Sequence, residues 1–218
     1  NAERGSGAAR GGTVQESGGC WRSVRVRGGV VAREREPFGQ YPRNVVRAAR
    51  DFLRERGIAD TAKVLVELEY YVLEEAEYKT GVDQAFYRVK SAEGLGEGCD
   101  DKPRVGLHAA YHRLPPEDCY ADFRNETVHL MEVLGIPVKY HHHEVAVSQL
   151  ELEPAFMDMA RAADMVSPGK WIIRQVAWEW GLCGTLLPKP LYKLPGTGMQ
   201  VPRFLERDGK SFFPGEGL

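Results

Sequence analysis

Apolar residues recur at helical spacing from Pro42 onward, at Val45, Val46, Ala49, Phe52 and Leu53, and Gly57 stands where a helix commonly stops. Proline suits a first helical turn, so a helix is predicted from Pro42 to Gly57. A run rich in Val, Leu and Tyr over 63–73 predicts one strand. Residues 75–107 turn polar and glycine-rich, with a single strand expected at 84–90. Asp118 is placed to cap a helix that shows Phe123, Leu130, Met131 and Leu134 on one face and ends at Gly135. A strand is expected at 138–146 and helices at 154–165 and 168–180, the second stopped by Gly181. Residues 184–205 read as strand, turn and strand. This order is α+β with hairpins rather than a regular βαβ alternation.

The stretch 1–36 differs from the rest. Glycines crowd there between Ser, Ala and Arg, and few apolar residues precede Trp21. Residues 1–20 are expected to be disordered or a remnant of something larger. Val24, Val26, Val30 and Val31 suggest one short strand. The chain does not open on methionine, which leaves room for residues before it.

Composition narrows the class. The 218 residues are 43% hydrophobic and 28% charged, a soluble globular profile long enough for one large domain or two small ones. Against 31 acidic residues stand 29 Lys and Arg, a near balance that argues against a nucleic-acid binder. No apolar run is long enough to span a bilayer. Cys20, Cys99, Cys119 and Cys183 form no C-x-x-C pair, which favours a reducing compartment over a disulfide framework or a zinc site.

Two clusters could carry chemistry. Glu67 and Glu69 sit in V-L-V-E-L-E-Y-Y-V-L, where period-two alternation sends both side chains to one face about 7 Å apart. They are either a solvated acidic face or ligands for a hard divalent cation. His141, His142, His143 and Glu144 follow one another, and alternate histidines would share a face and bind metal or polarise a substrate. The bland reading is a partly exposed polar strand end. Glu151 comes within reach of Glu144 if the chain turns near Ser148. So many acids and imidazoles among apolar strands are costly unless they pair or hold a cation. Lys189 between Pro188 and Pro190 suits an anion, or simply the surface, and Gly196-Thr197-Gly198 reads as a hairpin turn. Met157, Met159, Trp171, Trp178 and Trp180 fit core or subunit contact.

Taken together, several pieces resemble the catalytic domain of glutamine synthetase, prokaryotic class. They are Y-P-R-N-V-V-R-A-A from Tyr41, V-E-L-E-Y-Y-V-L at 66–73, P-P-E-D at 115–118 and H-H-H-E-V-A-V-S-Q-L-E at 141–151. A-A-D-M-V at 162–166, L-P-K-P at 187–190 and G-T-G-M at 196–199 follow in the same order. The resemblance implies that 37–218 is a partial catalytic domain with a curved, mostly antiparallel sheet and outer helices, and that 1–36 is disordered or a remnant of the N-terminal β-grasp domain. It implies ATP-dependent ligation of ammonia to the γ-carboxylate of glutamate through γ-glutamyl phosphate, with two Mg²⁺ or Mn²⁺ per site. It also implies a cytoplasmic homo-oligomeric ring, with glutamate, ammonia and ATP as partners and neither nucleic acid nor membrane. By the same resemblance Glu69, Glu144 and Glu151 would hold one cation, and Glu67 and the position of Gln200 the other. His142 would be the catalytic polar group beside them. Lys139, Phe156 and Lys189 fall on the nucleotide side, and Gly196 and Gly198 on the glutamate side.

Departures from the family pattern cluster after Gly198. The family reads G-S-G-M-H-x-H, and this chain reads G-T-G-M-Q-V-P, with Gln200 and Pro202 at the histidine positions. Phe204 stands at a nucleotide-contacting serine and Pro195 at an asparagine. A neutral amide oxygen in place of an imidazole weakens a metal site. The family's glutamate-clamping arginines, a further metal Glu and the flap Glu have no counterpart in the matched motifs. Two other readings therefore stand beside the synthetase: an inactive fold of the same type, and a ligase that joins glutamate to another amine.

Overall fold

The computed structural model describes residues 12–14, 23–25, 30–31, 36–94 and 105–211. Most of the expectation for 1–36 lies outside them, as do Val26, Cys20 and Cys99. Within that stretch β1 (Gly12–Val14) pairs antiparallel with β2 (Ser23–Arg25), which contains Val24. Val31 makes only an isolated bridge to Pro37. Every strand pairing described is antiparallel. The chain divides into two compact units.

The first unit holds α1 (Pro42–Glu55) and a four-stranded sheet. The sheet order is β12 (Lys210–Ser211), β11 (Arg203–Arg207), β3 (Thr61–Val64), β9 (Met157–Asp158). Proline opens α1, and Gly57 follows its end at φ 61°. The predicted apolar stripe is present, yet none of its residues is buried. Lys63 pairs with Glu206 across β3 and β11 at 2.8 Å, and Arg43 reaches Asp164 at 2.6 Å.

The second unit carries the site. Its sheet order is β10 (Cys183–Thr185), β4 (Leu68–Leu73), β8 (Gln149–Pro154), β7 (Val138–His143). A separate hairpin pairs β5 (Glu75–Thr80) with β6 (Ala85–Lys90). Helix α2 (Ala121–Val133) lies wholly in this unit, while α3 (Met159–Glu179) begins in the first and continues here from Val166. One face of the sheet is core. Leu68, Tyr70, Leu150 and Leu152 are all buried on it, and the Tyr70 ring meets Phe123 of α2 at 6.3 Å. At Gly169 the backbone of α3 comes so near that an added Cβ would lie 3.2 Å from Leu68 Cδ1.

The structure corrects several expectations. The strand predicted over 63–73 is two strands, β3 and β4, which belong to different sheets; 65–67 separate them. Asp118 does not cap α2. Tyr120 is the N-cap, and Asp118 accepts the Tyr120 backbone N–H at 3.1 Å while gripping Arg124. The two helices expected on either side of 166–167 are one, with Pro168 inside it. Strands at 75–80 and 149–154 were hidden. The first is wholly exposed and the second wholly buried, so burial in neither follows the polar–apolar alternation of its sequence, E-A-E-Y and Q-L-E-L-E. Neither Cys119 nor Cys183 is in a disulfide.

Candidate metal centre

Register builds the site. Glu69 of β4 stands opposite Glu151 of β8, and Glu151 stands opposite His142 of β7. Directly opposed residues in antiparallel strands share a face, so the three form one row across the sheet. Two residues away on each strand lie the flanking rows. One contains Tyr71 and Gln149; the other contains Glu153 and Tyr140. Glu67 continues the period of β4 by two residues. All of these side chains therefore leave the face opposite Leu68, Tyr70, Leu150 and Leu152.

Glu144 joins from the turn between β7 and β8, where Ser148 takes φ 62° and reverses the chain. Ligand atoms of His142, Glu144 and Glu151 lie within 4.8 Å of one another, as do those of Glu67, Glu151 and Glu153. Glu151 belongs to both groups. Glu69 belongs to neither, but its carboxylate is held beside them. Gln149 Nε2 donates to it at 2.9 Å, and a Cβ on Gly198 would fall 2.5 Å from its Oε1. A side chain at 198 would therefore displace the Glu69 carboxylate. Glu69 N–H also donates to the Gly198 carbonyl at 3.4 Å, and Glu67 N–H to the Gln200 carbonyl at 3.0 Å.

The electrostatics of the cluster are those of crowded anions. Burial first, then the proton shared with Glu151 and the charge of Glu69, push Glu144 up to about 7. Burial and the charges of Glu151, Glu153 and Glu69 raise Glu67. Burial acts upward on Glu151 too, but hydrogen bonds from His142, Glu144 and Glu67 outweigh it and hold it below the ordinary range. Burial disfavours protonated His142, yet the bonds to Glu151 and to the His143 carbonyl, with nearby carboxylate charge, leave its pKa raised. Its Nδ1 lies 2.9 Å from that carbonyl, which can only accept, so Nδ1 carries a proton. Nε2 then faces Glu151 at 3.2 Å.

His141 and His143, the alternate pair expected to share a functional face, point instead to the core side. His141 Nδ1 accepts from Arg124 at 3.2 Å, and buried His143 meets Glu93 at 2.9 Å. Glu93, Asp118 and His143 form a third close group. There the charges are already matched, because Arg124 holds Asp118 and His143 holds Glu93.

Glu153 was not singled out from sequence. Its signal was available: L-E-L-E at 150–153 repeats the V-E-L-E pattern of 66–69. It accepts from Tyr140 Oη and lies 3.4 Å from Lys139 Nζ, which itself sits 4.6 Å over the Tyr140 ring. Lys189 donates to the Leu194 carbonyl and so ties down its own loop. Gly196 packs closely in that loop: an added Cβ would meet the Pro188 carbonyl oxygen at 2.6 Å, and its own carbonyl accepts from Gln149 at 3.0 Å. Tyr71 Oη donates to the Pro195 carbonyl at 2.6 Å, and its ring packs with Ala146, Val147, Leu191 and Leu194. Phe156 lies in the first unit, edge-on to Phe204 at 5.0 Å. Gln200 is exposed.

A donor set of carboxylate oxygens with one imidazole suits Mg²⁺ or Mn²⁺ rather than a thiophilic ion. No helix among the described residues is long and apolar enough to cross a membrane.

The family model described as glutamine synthetase, catalytic domain, matches residues 39–217. Glutamine synthetase of Azospirillum brasilense is 31% identical over 186 residues, covering 83% of this chain and 40% of its own length. That of Nostoc sp. is 33% identical over 201 residues, covering 86% and 42%. The chain thus spans about two fifths of the length of these relatives. The cryo-EM structure of Plasmodium falciparum glutamine synthetase shares the fold with a TM-score of 0.84 at 19% identity, over 100% of this chain and 43% of that one. With the family model covering most of its length and relatives above 30% identity, the chain belongs to the glutamine synthetase family.

Proposed function

We propose that this chain carries the divalent-cation part of a glutamate–ammonia ligase site. The complete protein would use ATP to form γ-glutamyl phosphate and ammonia to displace phosphate from it. The observation that supports this most is the row Glu69, Glu151, His142, drawn from three strands and joined by Glu67, Glu144 and Glu153. In this reading Glu69, Glu144 and Glu151 hold one cation and Glu67 the other. A bound Mg²⁺ or Mn²⁺ supplies positive charge that offsets the charge on the transferred phosphoryl oxygens.

The protein's own groups prepare that site. Burial and the neighbouring carboxylates raise Glu144, so a cation that needs its ionised form would compete with a proton there. His142 keeps Glu151 oriented through Nε2. Gln149 sets the Glu69 carboxylate and, through the Gly196 carbonyl, the loop where glutamate would lie. Lys139 and Lys189 would lie toward ATP. The same reading makes the complete protein a cytoplasmic homo-oligomer.

A second reading, a fold of this type that binds cation without turnover, is favoured by Phe204. At the family's serine position it presents its ring to Phe156 and to Lys63, 5.6 Å from its centre. Phosphate release from ATP with glutamate and ammonia separates the two. Mg²⁺-dependent release requiring both co-substrates supports the ligase. Cation binding with no release supports the second reading, and absence of cation binding removes both.

A further inference from the structure

The turn that separates Glu144 from Glu151 is anchored from behind by one buried carboxylate. Glu93 follows β6 in the chain and is fully buried on the core side of the sheet. Both of its oxygens lie 2.9 Å from His143 Nε2. Oε2 also accepts the Ser148 backbone N–H at 2.6 Å, and Oε1 the Cys119 N–H at 3.3 Å. His143 Nδ1, on the far side of the ring, donates to the Glu144 carbonyl at 2.8 Å. Thus a single side chain holds His143 and Ser148, the residues on either side of 144–147. It also reaches, through the imidazole, the backbone of Glu144 itself.

A buried ionic pair is weak evidence for stability, since its desolvation offsets most of its attraction. Its connections are the informative part, because two of the three groups bonded to Glu93 fix the turn from which Glu144 projects. Outer partners that orient a ligand commonly alter metal affinity by about tenfold or more.

We propose that Glu93, acting through His143 and the Ser148 amide, is a positioning residue for the cation site: it sets the placement of Glu144 relative to Glu151. The inference rests on the cation-site reading above.

Titration of the whole chain with Mn²⁺ alone tests it, with thermal melts to confirm folding. Glu93→Ala removes the anchor and should weaken Mn²⁺ binding by about tenfold. Glu93→Gln keeps the shape: its amide oxygen can accept from Ser148 and its amide nitrogen can donate to the imidazole, so it should rescue most of the affinity. Glu93→Asp keeps the charge but withdraws the carboxylate by about 1.5 Å, and it carries the same test if the alanine variant does not fold. A folded alanine or aspartate variant with wild-type affinity overturns the inference. So does a glutamine variant as weak as the alanine variant, which would mean that charge rather than placement matters. Failure of the wild-type chain to bind Mn²⁺ is a different result: it removes the cation site, and the positioning role with it.

Discussion

At the residue scale, Glu151 is the member the site can least lose. It is the only described residue common to both close groups on this face, and it alone is in register with both Glu69 and His142. Glu151→Gln should weaken Mn²⁺ binding by at least about tenfold, well beyond the loss in Glu153→Gln. Calorimetric titration of the two variants side by side checks the order. Gly198→Ala makes a sharper geometric prediction. Its methyl would sit 2.5 Å from Glu69 Oε1, so the carboxylate or the loop must move. Because the displaced atom is the end of a flexible side chain, weakened Mn²⁺ binding with little loss of stability is expected in titration and urea melts, and wild-type affinity would contradict the close approach. Much at this scale was legible. Acids at alternate positions of an apolar run announced Glu67 and Glu69, and a reversal near Ser148 brought Glu151 to Glu144. Which histidine joins them was not legible from spacing, although the family resemblance names His142. Three in a row give both faces of β7 the same residue type, and only the core-side partners Arg124 and Glu93 decide that His142 is the one facing the acids.

At the element scale, strands were harder to read than helices. Helices α1 and α2 showed their period, and glycines marked their ends. The strand β8 alternates as Q-L-E-L-E, yet it is buried at every position, including two glutamates, so its polar positions do not mark a solvent face. Buried carboxylates at 151 and 153 are tolerated because the paired strands bring His142, Tyr140 and Lys139 to them. Packing of α3 on this sheet depends on the small residue at 169. Gly169→Leu would drive a side chain into Leu68 and Met131, and a loss of about 1–3 kcal/mol is expected by urea unfolding. The hairpin of β7 and β8 also carries a pH signature. Burial opposes the charge on His143, but Glu93 and the Glu144 carbonyl outweigh it and raise the pKa. A raised folded value means that the contribution is complete below the ordinary value of 6.5 and is lost as pH climbs through the raised one. Urea midpoints should therefore fall on the alkaline side in the wild type. Glu93→Gln should flatten that fall, and an equal fall in the variant would contradict the assignment.

Over the whole molecule, the claim is that crowded carboxylates are kept together for a cation. Family membership makes that chemistry expected, and the departures at Gln200, Pro202 and Phe204 make the acidic face its main remaining support. Linkage gives a signed prediction. Glu144 has its folded value raised from 4.5 to about 7, so without a cation its stabilising contribution is complete below 4.5 and is lost on the way to 7. A divalent ion needs the ionised form, so Mn²⁺ should raise the melting temperature more at about pH 8 than at about pH 5.5. The most direct test is an anomalous difference map from crystals soaked in Mn²⁺. The account predicts a peak bound by Glu151 together with Glu144 or Glu67, on the face of the sheet that carries His142. A peak bound instead by Glu93, Asp118 and His143, or none on the acidic face at saturating Mn²⁺, would contradict it.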